Sequence, residues 1–296
     1  MGRKQTLTLG LVQHRAPGFD EAARQRNLDH ACDMIREAAD RGAQLVATQE
    51  LFTTSYFCQV EDESRFELAE PIPGPTTQRL GELAKELGIE ITASLFEKRT
   101  AGMYHNTSVM IGPAGDIVGR YRKMHIPDDP RFYEKYYFTP GDLGWQTQET
   151  RFAKTGMLVC WDQWFPEAAR LTAMRGAQVL FYPTAIGWYH GETETDRQQQ
   201  KEAWQTIQKS HAIANGVFVA AINRTGVEED LQFWGSSFVC DPGGQTIAEA
   251  PQDEEAVVIA ECDLSRIETL RRGWPFFRDR RIDAYDTLTK RLADDL

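Results

Sequence analysis

The stretch GMLVCWDQWFPEAAR (residues 156–170) decides the fold class, because an apolar run gives way there to a segment with helical spacing. Residues 156–159 predict a short buried strand that ends at Cys160, and Pro166 suits the first position of a following helix. A thiol on such a turn lies where a thiolate is stabilised and a backbone N–H faces a developing oxyanion, as in a nucleophile elbow. The alternative is a buried structural cysteine, the commoner fate of a single thiol.

Strand and helix patterns alternate on both sides of this stretch. Apolar runs predict strands at 6–12, 44–49, 89–97, 178–182, 217–222 and 256–261. Turn residues predict hairpins that join 105–111 to 117–123 and 238–241 to 246–249. Helical spacing is present at 21–41, 76–87, 196–215 and 264–272. We therefore expect a single domain over residues 1–296, with two mixed sheets packed together, helices outside and a C-terminal tail from about residue 273.

Composition limits the classes of function. The 296 residues include 33 basic and 44 acidic ones, and the net charge of −11 argues against nucleic-acid binding. No apolar run is long enough for a membrane span. The five cysteines share no metal-binding spacing, which favours free thiols in a reducing, cytoplasmic compartment. No sequence motif for a metal, a nucleotide or a nicotinamide cofactor is present, so we expect none of these groups.

Three charged residues occupy positions where a solvated side chain is not expected. Glu50 and Lys123 each end a predicted strand, and Glu134 lies in an aromatic segment. Active sites in open α/β-type sheets gather at the carboxyl ends of strands, where Cys160 also lies. Each residue alone has a structural alternative: an ion pair at a strand end, a solvated basic strand end or an exposed loop acid. The set as a whole favours a catalytic site.

In this order and context, Glu50, Lys123 and Cys160 resemble the Glu-Lys-Cys triad of the nitrilase superfamily. The resemblance extends from the first strand to Arg281 and is carried by the strings YRKMHIPD (121–128), EKYYFTPGD (134–142), CWDQWFPE (160–167) and YPTAIG (182–187). It implies an α+β fold, the four-layer αββα sandwich of the nitrilase type. It also implies a homo-oligomer built from dimers, and hydrolysis of a carbon–nitrogen bond without a metal or organic cofactor.

The longer strings imply a reaction of polyamine biosynthesis, the hydrolysis of N-carbamoylputrescine to putrescine, ammonia and carbon dioxide. Cys160 would attack the carbamoyl carbon, and Glu50 would transfer protons. Lys123 and the backbone N–H of Trp161 would hold the oxyanion, while Glu134, by similarity, would orient Lys123 and Glu50. The alternative is a related amidase for another N-carbamoyl amine, a carbamoyl amino acid or an omega-amide. A scaffold with a relic site is a third possibility, which retention of all four polar residues argues against.

The part of the substrate beyond the carbamoyl group is expected to be a cation. After Gly187 the chain departs from the Ser-Glu-Pro of many relatives, so the acid that meets an ammonium has moved or been replaced. An acidic pocket favours a cationic tail, whereas an Arg aimed at a carboxylate would favour a carbamoyl amino acid. Candidates for substrate contact are Asn106, Asp129, Trp161, Thr184, Trp188, Tyr189 and Glu192. Among them, Trp188 and Tyr189 could form a cation–π wall, and Asp129 or Glu192 could reach the ammonium.

Overall fold

The computed structural model describes residues 6–293. The strands are β1 (Thr6–Gln13), β2 (Leu45–Thr48), β3 (Glu90–Thr100), β4 (Met103–Ile111), β5 (Ile117–Arg122), β6 (Gln148–Glu149), β7 (Lys154–Met157), β8 (Val179–Thr184), β9 (Gly187–Tyr189), β10 (Phe218–Asn223), β11 (Thr225–Glu228), β12 (Leu231–Trp234), β13 (Phe238–Cys240), β14 (Thr246–Glu249) and β15 (Ala256–Asp263). The helices are α1 (Glu21–Asp40), α2 (Pro75–Leu87), α3 (Glu134–Tyr137), α4 (Pro166–Met174), α5 (Glu194–Asn215) and α6 (Ser265–Gly273). Short 3₁₀ helices lie at Phe57–Gln59, Glu63–Leu68, Cys160–Trp164, Ile282–Ala284 and Asp286–Thr289.

Two six-stranded sheets form the centre of the molecule. Their strand orders are β15-β1-β2-β3-β4-β5 and β14-β13-β10-β8-β7-β6. In the first sheet β1, β2 and β3 are parallel neighbours, while β4 is antiparallel to both β3 and β5. Strands β2 and β5 therefore run in the same direction, and their carboxyl ends lie at the same edge of the sheet.

Alternation along β1 shows how the layers form. Leu7, Leu9 and Leu11 belong to the apolar core that the second sheet shares, whereas Val12 packs with α1 and α2. Gly10 lets α1 approach closely, because a Cβ atom there would lie 2.9 Å from the Cβ of Ala38. With α4 and α5 on the second sheet, the layers follow the order helix, sheet, sheet, helix. The α+β, four-layer sandwich expected from the resemblance is confirmed.

Local signals explain why α1 begins and ends where predicted. The side chain of Asp20 accepts a hydrogen bond from the N–H of Ala23, and Glu21 lies in the first turn near the positive end of the helix dipole. After the helix, Gly42 adopts a φ of 91°, in the left-handed region that favours glycine. The predicted buried face, which includes Leu28 and Ile35, faces the sheet.

Strand β7 covers Lys154–Met157 instead of the predicted residues 156–159. Two further departures from the predicted pattern are larger. The first is a small third sheet, with strand order β11-β12-β9, which no sequence pattern indicated. The second is α5, where Trp204 and His211 are buried as expected, but Ile207 and Ala214 are only half-buried. Its fully buried positions also include Gln208, Ala212 and Asn215. The buried face is therefore rotated toward polar residues, because the side chains of Trp204 and Gln208 both donate hydrogen bonds to Oε1 of the buried Gln163.

All five cysteines are free and buried. Within residues 6–293, no helix combines the length and apolarity needed to cross a membrane. After α6 the chain continues through exposed residues along α4, at the position predicted for a tail. The single-domain organisation over 1–296 stays a prediction, since residues 1–5 and 294–296 lie outside the described part of the chain.

Candidate active site

The fold brings the four predicted polar residues into one buried group. Glu50 follows β2, Lys123 follows β5, Glu134 begins α3 and Cys160 follows β7. Lys123 Nζ lies 2.8 Å from Glu50 Oε1 and 2.6 Å from Glu134 Oε2, and all three side chains have no exposed surface. The Cys160 Sγ and one carboxylate oxygen each from Glu50 and Glu134 all lie within 4.8 Å of one another. The segments that follow β2, β5 and β7 therefore meet at one point, as the strand-end pattern predicted, and Glu134 joins them from α3.

Cys160 occupies a sharp turn. Its φ is 42°, so a residue other than glycine adopts the left-handed backbone conformation here. Such backbone conformations persist where the surrounding structure holds them, and they are concentrated at functional sites. The Sγ atom lies 3.9 Å from the carbonyl oxygen of Ala185, and Cys160 lines a cavity of about 530 Å³. The backbone geometry matches the nucleophile-elbow hypothesis.

The two oxygens of Glu50 have different surroundings. Oε1 accepts hydrogen bonds from Lys123 Nζ and, at 2.7 Å, from Asn106 Nδ2. Asn106 is itself oriented, because its Oδ1 accepts a hydrogen bond from the hydroxyl of Ser94 at 3.0 Å. Oε2 is buried and has no hydrogen-bond partner among residues 6–293. Oε2 is therefore the oxygen available to exchange a proton with a reacting group.

The expectation that this turn stabilises a thiolate is wrong. Burial and the neighbouring charge of Glu50 raise the pKa of Cys160 well above its ordinary value, against the opposing charge of Lys123. The expected helix dipole is also displaced, since Cys160 opens a 3₁₀ turn and α4 begins only at Pro166. At neutral pH the resting residue is therefore a thiol, which needs a base before it can attack.

The charges of Lys123 and Glu134 are set by the same burial. Burial acts to lower the pKa of Lys123, but the negative charge that Cys160 carries when ionised, together with those of Glu134 and Glu50, outweighs this effect, and the pKa is raised well above its usual value. Burial raises the pKa of Glu134 to about 7, although Lys123 opposes the rise. Lys123 is therefore held as an ammonium between two acids, in position to stabilise negative charge.

A second buried ion pair holds this group in place, and the sequence patterns did not single it out. Arg224, directly after β10, donates hydrogen bonds to the carbonyl oxygens of Glu50 (3.2 Å), Leu51 (2.9 Å) and Thr54 (3.1 Å). Its guanidinium also lies 2.7 Å from the carboxylate of Glu228. A charged residue at the end of a buried strand was the signal that pointed to Glu50, and it would have identified Arg224 as well.

Glu228 connects this ion pair to Glu134. Its Oε2 accepts a hydrogen bond from the backbone N–H of Tyr56 at 2.6 Å, and the Tyr56 hydroxyl donates to Glu134 Oε1 at 2.8 Å. Arg224 and Glu228 thus position the backbone after Glu50 and the aromatic residue that orients Glu134. Because neither touches the cavity, they act on the site through these neighbours.

Five predicted residues line the cavity: Cys160, Trp161, Asp129, Tyr189 and Glu192. Glu192 is fixed by two hydrogen bonds, since Oε2 accepts from the Tyr189 N–H at 3.0 Å and Oε1 accepts from the Gln200 amide at 2.7 Å. The carboxylates of Asp129 and Glu192 give this cavity an acidic character, and Tyr189 adds an aromatic ring.

Three other predicted contacts lie behind the cavity wall. Asn106 is buried against Glu50, as described above. Thr184 donates its hydroxyl to the carbonyl oxygen of Tyr182 at 2.9 Å. Trp188 is 7% exposed; its ring packs 5.2 Å from that of Trp234, and its Nε1 donates to a backbone carbonyl. Of the two aromatic residues considered for a cation–π wall, only Tyr189 faces the cavity.

The sequence is similar to known hydrolases over most of its length. The model of the carbon-nitrogen hydrolase family matches residues 8–272. The chain belongs to this family. It is 44% identical to N-carbamoylputrescine amidase from Solanum lycopersicum over 271 residues, which are 88% of this chain and 89% of the relative. It is 40% identical to citrullinase from Francisella tularensis, with 90% and 93% of the two chains covered.

A solved structure agrees with the family assignment. The crystal structure of a carbon-nitrogen hydrolase from Helicobacter pylori G27 superposes with a TM-score of 0.93 at 45% identity, and covers 97% of this chain and 99% of that chain. The family match ends at residue 272, within α6, where the predicted tail begins. The protein is thus a hydrolase of carbon–nitrogen bonds that acts on a small molecule, as the resemblance implied.

Proposed function

We propose that this protein is an N-carbamoylputrescine amidase, which forms putrescine, ammonia and carbon dioxide. One observation carries the proposal: the cavity is lined by Cys160 and by two acids, Asp129 and Glu192, with no Lys or Arg among its described lining residues. A carbamoyl group at Cys160 would extend a cationic tail toward these acids. The relative from Solanum lycopersicum, by its name, acts on the same substrate.

The reaction begins with a proton transfer inside the buried group. The thiol proton of Cys160 moves to Glu50 Oε2 while the sulfur atom forms a bond to the carbamoyl carbon, and the carbonyl π electrons move to its oxygen. Lys123 Nζ and the N–H of Trp161 stabilise the resulting oxyanion. Because Lys123 is fixed by both acids before the reaction, this stabilisation requires no reorganisation at the transition state.

Collapse of the oxyanion breaks the bond from the carbamoyl carbon to the substituted nitrogen, and Glu50 gives its proton to that nitrogen. Putrescine leaves, and the carbamoyl group remains on the sulfur of Cys160. Glu50 then accepts a proton from water as the water attacks the same carbon. Return of the sulfur to a thiol releases carbamic acid, which breaks down to ammonia and carbon dioxide.

The decisive comparison is between N-carbamoylputrescine and N-carbamoylbutylamine, which lacks only the terminal amine. A cationic tail paired with an acid in a partly closed cavity should raise kcat/KM for the first by roughly 10- to 100-fold, equivalent to about 1.4–2.8 kcal/mol. Glu192→Gln should remove most of this preference, while Glu194→Gln, a change on an exposed side chain outside the cavity, should keep it. Equal kcat/KM values for the two substrates in the unsubstituted protein would refute recognition of a cationic tail.

A second substrate class is favoured by Arg131, which lies in the sequence between two residues that line the cavity, Pro130 and Phe132. Its guanidinium lies 6.0 Å from the ring of Tyr189 and 2.6 Å from a carboxylate oxygen of Asp230. A ureido amino acid such as citrulline would present its α-carboxylate to Arg131 and its α-ammonium to Glu192. Faster hydrolysis of citrulline than of N-carbamoylputrescine, lost in Arg131→Gln, would favour this alternative.

The homo-oligomer is also a proposal. Leu171 and Met174 on α4 are 40% and 48% exposed, and Trp274, Phe276 and Leu288 of the tail add further exposed apolar surface. The tail lies against α4, since Arg280 contacts the sulfur of Met174. Such a patch is typical of a subunit interface. Multi-angle light scattering should give a dimer or a multiple of it, and Leu171→Glu with Met174→Glu should give monomers.

A further inference from the structure

Three side chains of types that can bind a metal ion lie close together where the end of β1, helix α1 and the start of β15 meet. His14 follows β1, His30 lies on α1 and Glu255 immediately precedes β15. One ligand atom from each of the three lies within 4.8 Å of the others, and His30 Nε2 is 3.1 Å from Glu255 Oε1. Because residues 14, 30 and 255 are distant along the chain, no sequence motif could reveal the cluster.

His14 presents a free nitrogen lone pair to this cluster. Its Nδ1 lies 2.9 Å from the carbonyl oxygen of Arg15, which can only accept, so Nδ1 carries the proton. Its Nε2 is buried and has no hydrogen-bond partner in the described chain. A neutral imidazole with one N–H held by a backbone carbonyl has the arrangement of a metal-ligating histidine.

The neighbouring backbone holds two of the three residues. The side chain of Gln49 accepts from the N–H of His14 at 2.9 Å and donates to its carbonyl oxygen at 2.7 Å. Glu255 Oε1 accepts the N–H of Arg15 at 2.8 Å. His30 is less enclosed, since its side chain is 44% exposed on the surface of α1. Two ligands are therefore preorganised, and the third can adjust.

We propose that His14, His30 and Glu255 form a binding site for Zn²⁺ or a similar divalent transition-metal ion. Two imidazole nitrogens and one carboxylate oxygen are a common ligand set for zinc, with a fourth position for water. That position would face solvent, because His30 is half-buried and Glu255 is exposed. A tetrahedral ion with bonds of about 2.0–2.1 Å needs ligand atoms about 3.3 Å apart, so ligand atoms that now lie within 4.8 Å of one another would approach by at most about 1.5 Å.

The expected effect is on stability rather than on the reaction. None of the three residues lines the cavity at Cys160, so the ion would take no part in bond cleavage. It would connect the end of β1, α1 and the start of β15, which are distant in sequence. An ion that binds only the folded chain raises the free energy of unfolding in proportion to the logarithm of its concentration above its Kd.

The test uses untagged, chelator-treated Cys160→Ala protein, because the thiol with Glu50 and Glu134 forms a second cluster that could take up zinc. Calorimetric titration with zinc chloride should show a single site per chain, and saturation should raise the melting temperature. With Co²⁺ as the probe, visible absorption bands of a four-coordinate ion should appear. Added to this background, His30→Gln and Glu255→Gln should each weaken zinc binding at least about tenfold.

The matched control is His190→Gln, which removes an exposed histidine outside the cluster and should leave zinc affinity unchanged. His30→Gln changes a half-exposed side chain, so it is expected to fold, and its melting temperature without zinc checks this. Unchanged zinc affinity in His30→Gln and Glu255→Gln, or absence of measurable binding to the Cys160→Ala protein, would overturn the proposal. Either result would leave the proposed amidase function unaffected.

Discussion

Replacement of Asn106 by Ala separates two roles for a residue that the sequence assigned to substrate contact. In the structure Asn106 Nδ2 donates to Glu50 Oε1 at 2.7 Å and Oδ1 accepts from the Ser94 hydroxyl at 3.0 Å, so both polar atoms of the amide already have partners. A positioning role predicts a fall in kcat with little change in KM, because the substrate never touches the amide. A substrate-binding role predicts the opposite, a rise in KM with kcat nearly unchanged.

The size of the effect follows from the type of contact that is lost. A buried hydrogen bond to a charged group contributes about 1.5–3 kcal/mol. If the full amount is lost at the transition state, kcat falls by roughly 10- to 150-fold, at 1.36 kcal/mol per tenfold change in rate. Ser94→Ala removes the next hydrogen bond outward, a neutral one of 3.0 Å to Asn106, and should cost about 0.5–1.5 kcal/mol, or about 2- to 13-fold.

The assay is steady-state release of ammonia from N-carbamoylputrescine over a range of substrate concentrations. Circular dichroism and thermal unfolding of each variant show whether the fold survives loss of a buried side chain. A raised KM at unchanged kcat for Asn106→Ala would refute the positioning role. So would a larger loss of kcat in Ser94→Ala than in Asn106→Ala, since the effect must weaken with distance from Glu50.

Three further predictions concern the buried group. Cys160→Ser and Cys160→Ala should abolish turnover but keep the fold, and more than about a hundredth of the original rate in Cys160→Ala would exclude covalent catalysis by this residue. Lys123→Ala should lower kcat at least about 10²-fold, and Lys123→Arg should not restore it, because a planar guanidinium cannot replace an ammonium held by two acids; near-normal kcat in either would contradict the oxyanion role. For Glu134, the rise in pKa from 4.5 to about 7 means that the folded state holds a proton that the unfolded state releases, so stability from this residue falls as pH rises through that window. Urea unfolding should show the stability of the natural protein falling relative to Glu134→Gln over the same window, and a constant difference would contradict the shift.

Much of the site could be predicted because its residues end well-patterned strands. Alternating or continuous apolar runs predict β2 and β5 closely and β7 two residues too late, and the residues shortly after each strand then fall at the shared edge. Glu50, Lys123 and Cys160 were found in this way. Arg224 follows β10 in the same manner, but its role became visible only when its contacts with the backbone after Glu50 were known.

The far wall of the cavity could not be predicted with the same precision. Strand β9 is only three residues long, too short for its alternation to be recognised in the sequence. Adjacent residues of a strand face opposite sides, so only one of Trp188 and Tyr189 can face the cavity. Pairing of β9 with β12 places Trp188 opposite Gln232 and Tyr189 opposite Leu231, and Tyr189 is the residue that lines the cavity. The choice depends on a partner strand more than 40 residues later, which local pattern does not contain.

The raised pKa of Cys160 is compatible with its use as a nucleophile because of where the proton goes. Release of the thiol proton to solvent would add a negative charge to a fully buried group, beside Glu50 and Glu134, and burial makes that costly. Transfer of the same proton to Glu50 Oε2 leaves the charge of the group unchanged, and bond formation then carries the negative charge to the substrate oxygen near Lys123. The buried arrangement therefore suppresses a free thiolate in the resting state and favours one that forms only as the substrate is attacked. This accounts for the otherwise unpartnered Oε2 atom, which is left free by Lys123 and Asn106 to receive that proton.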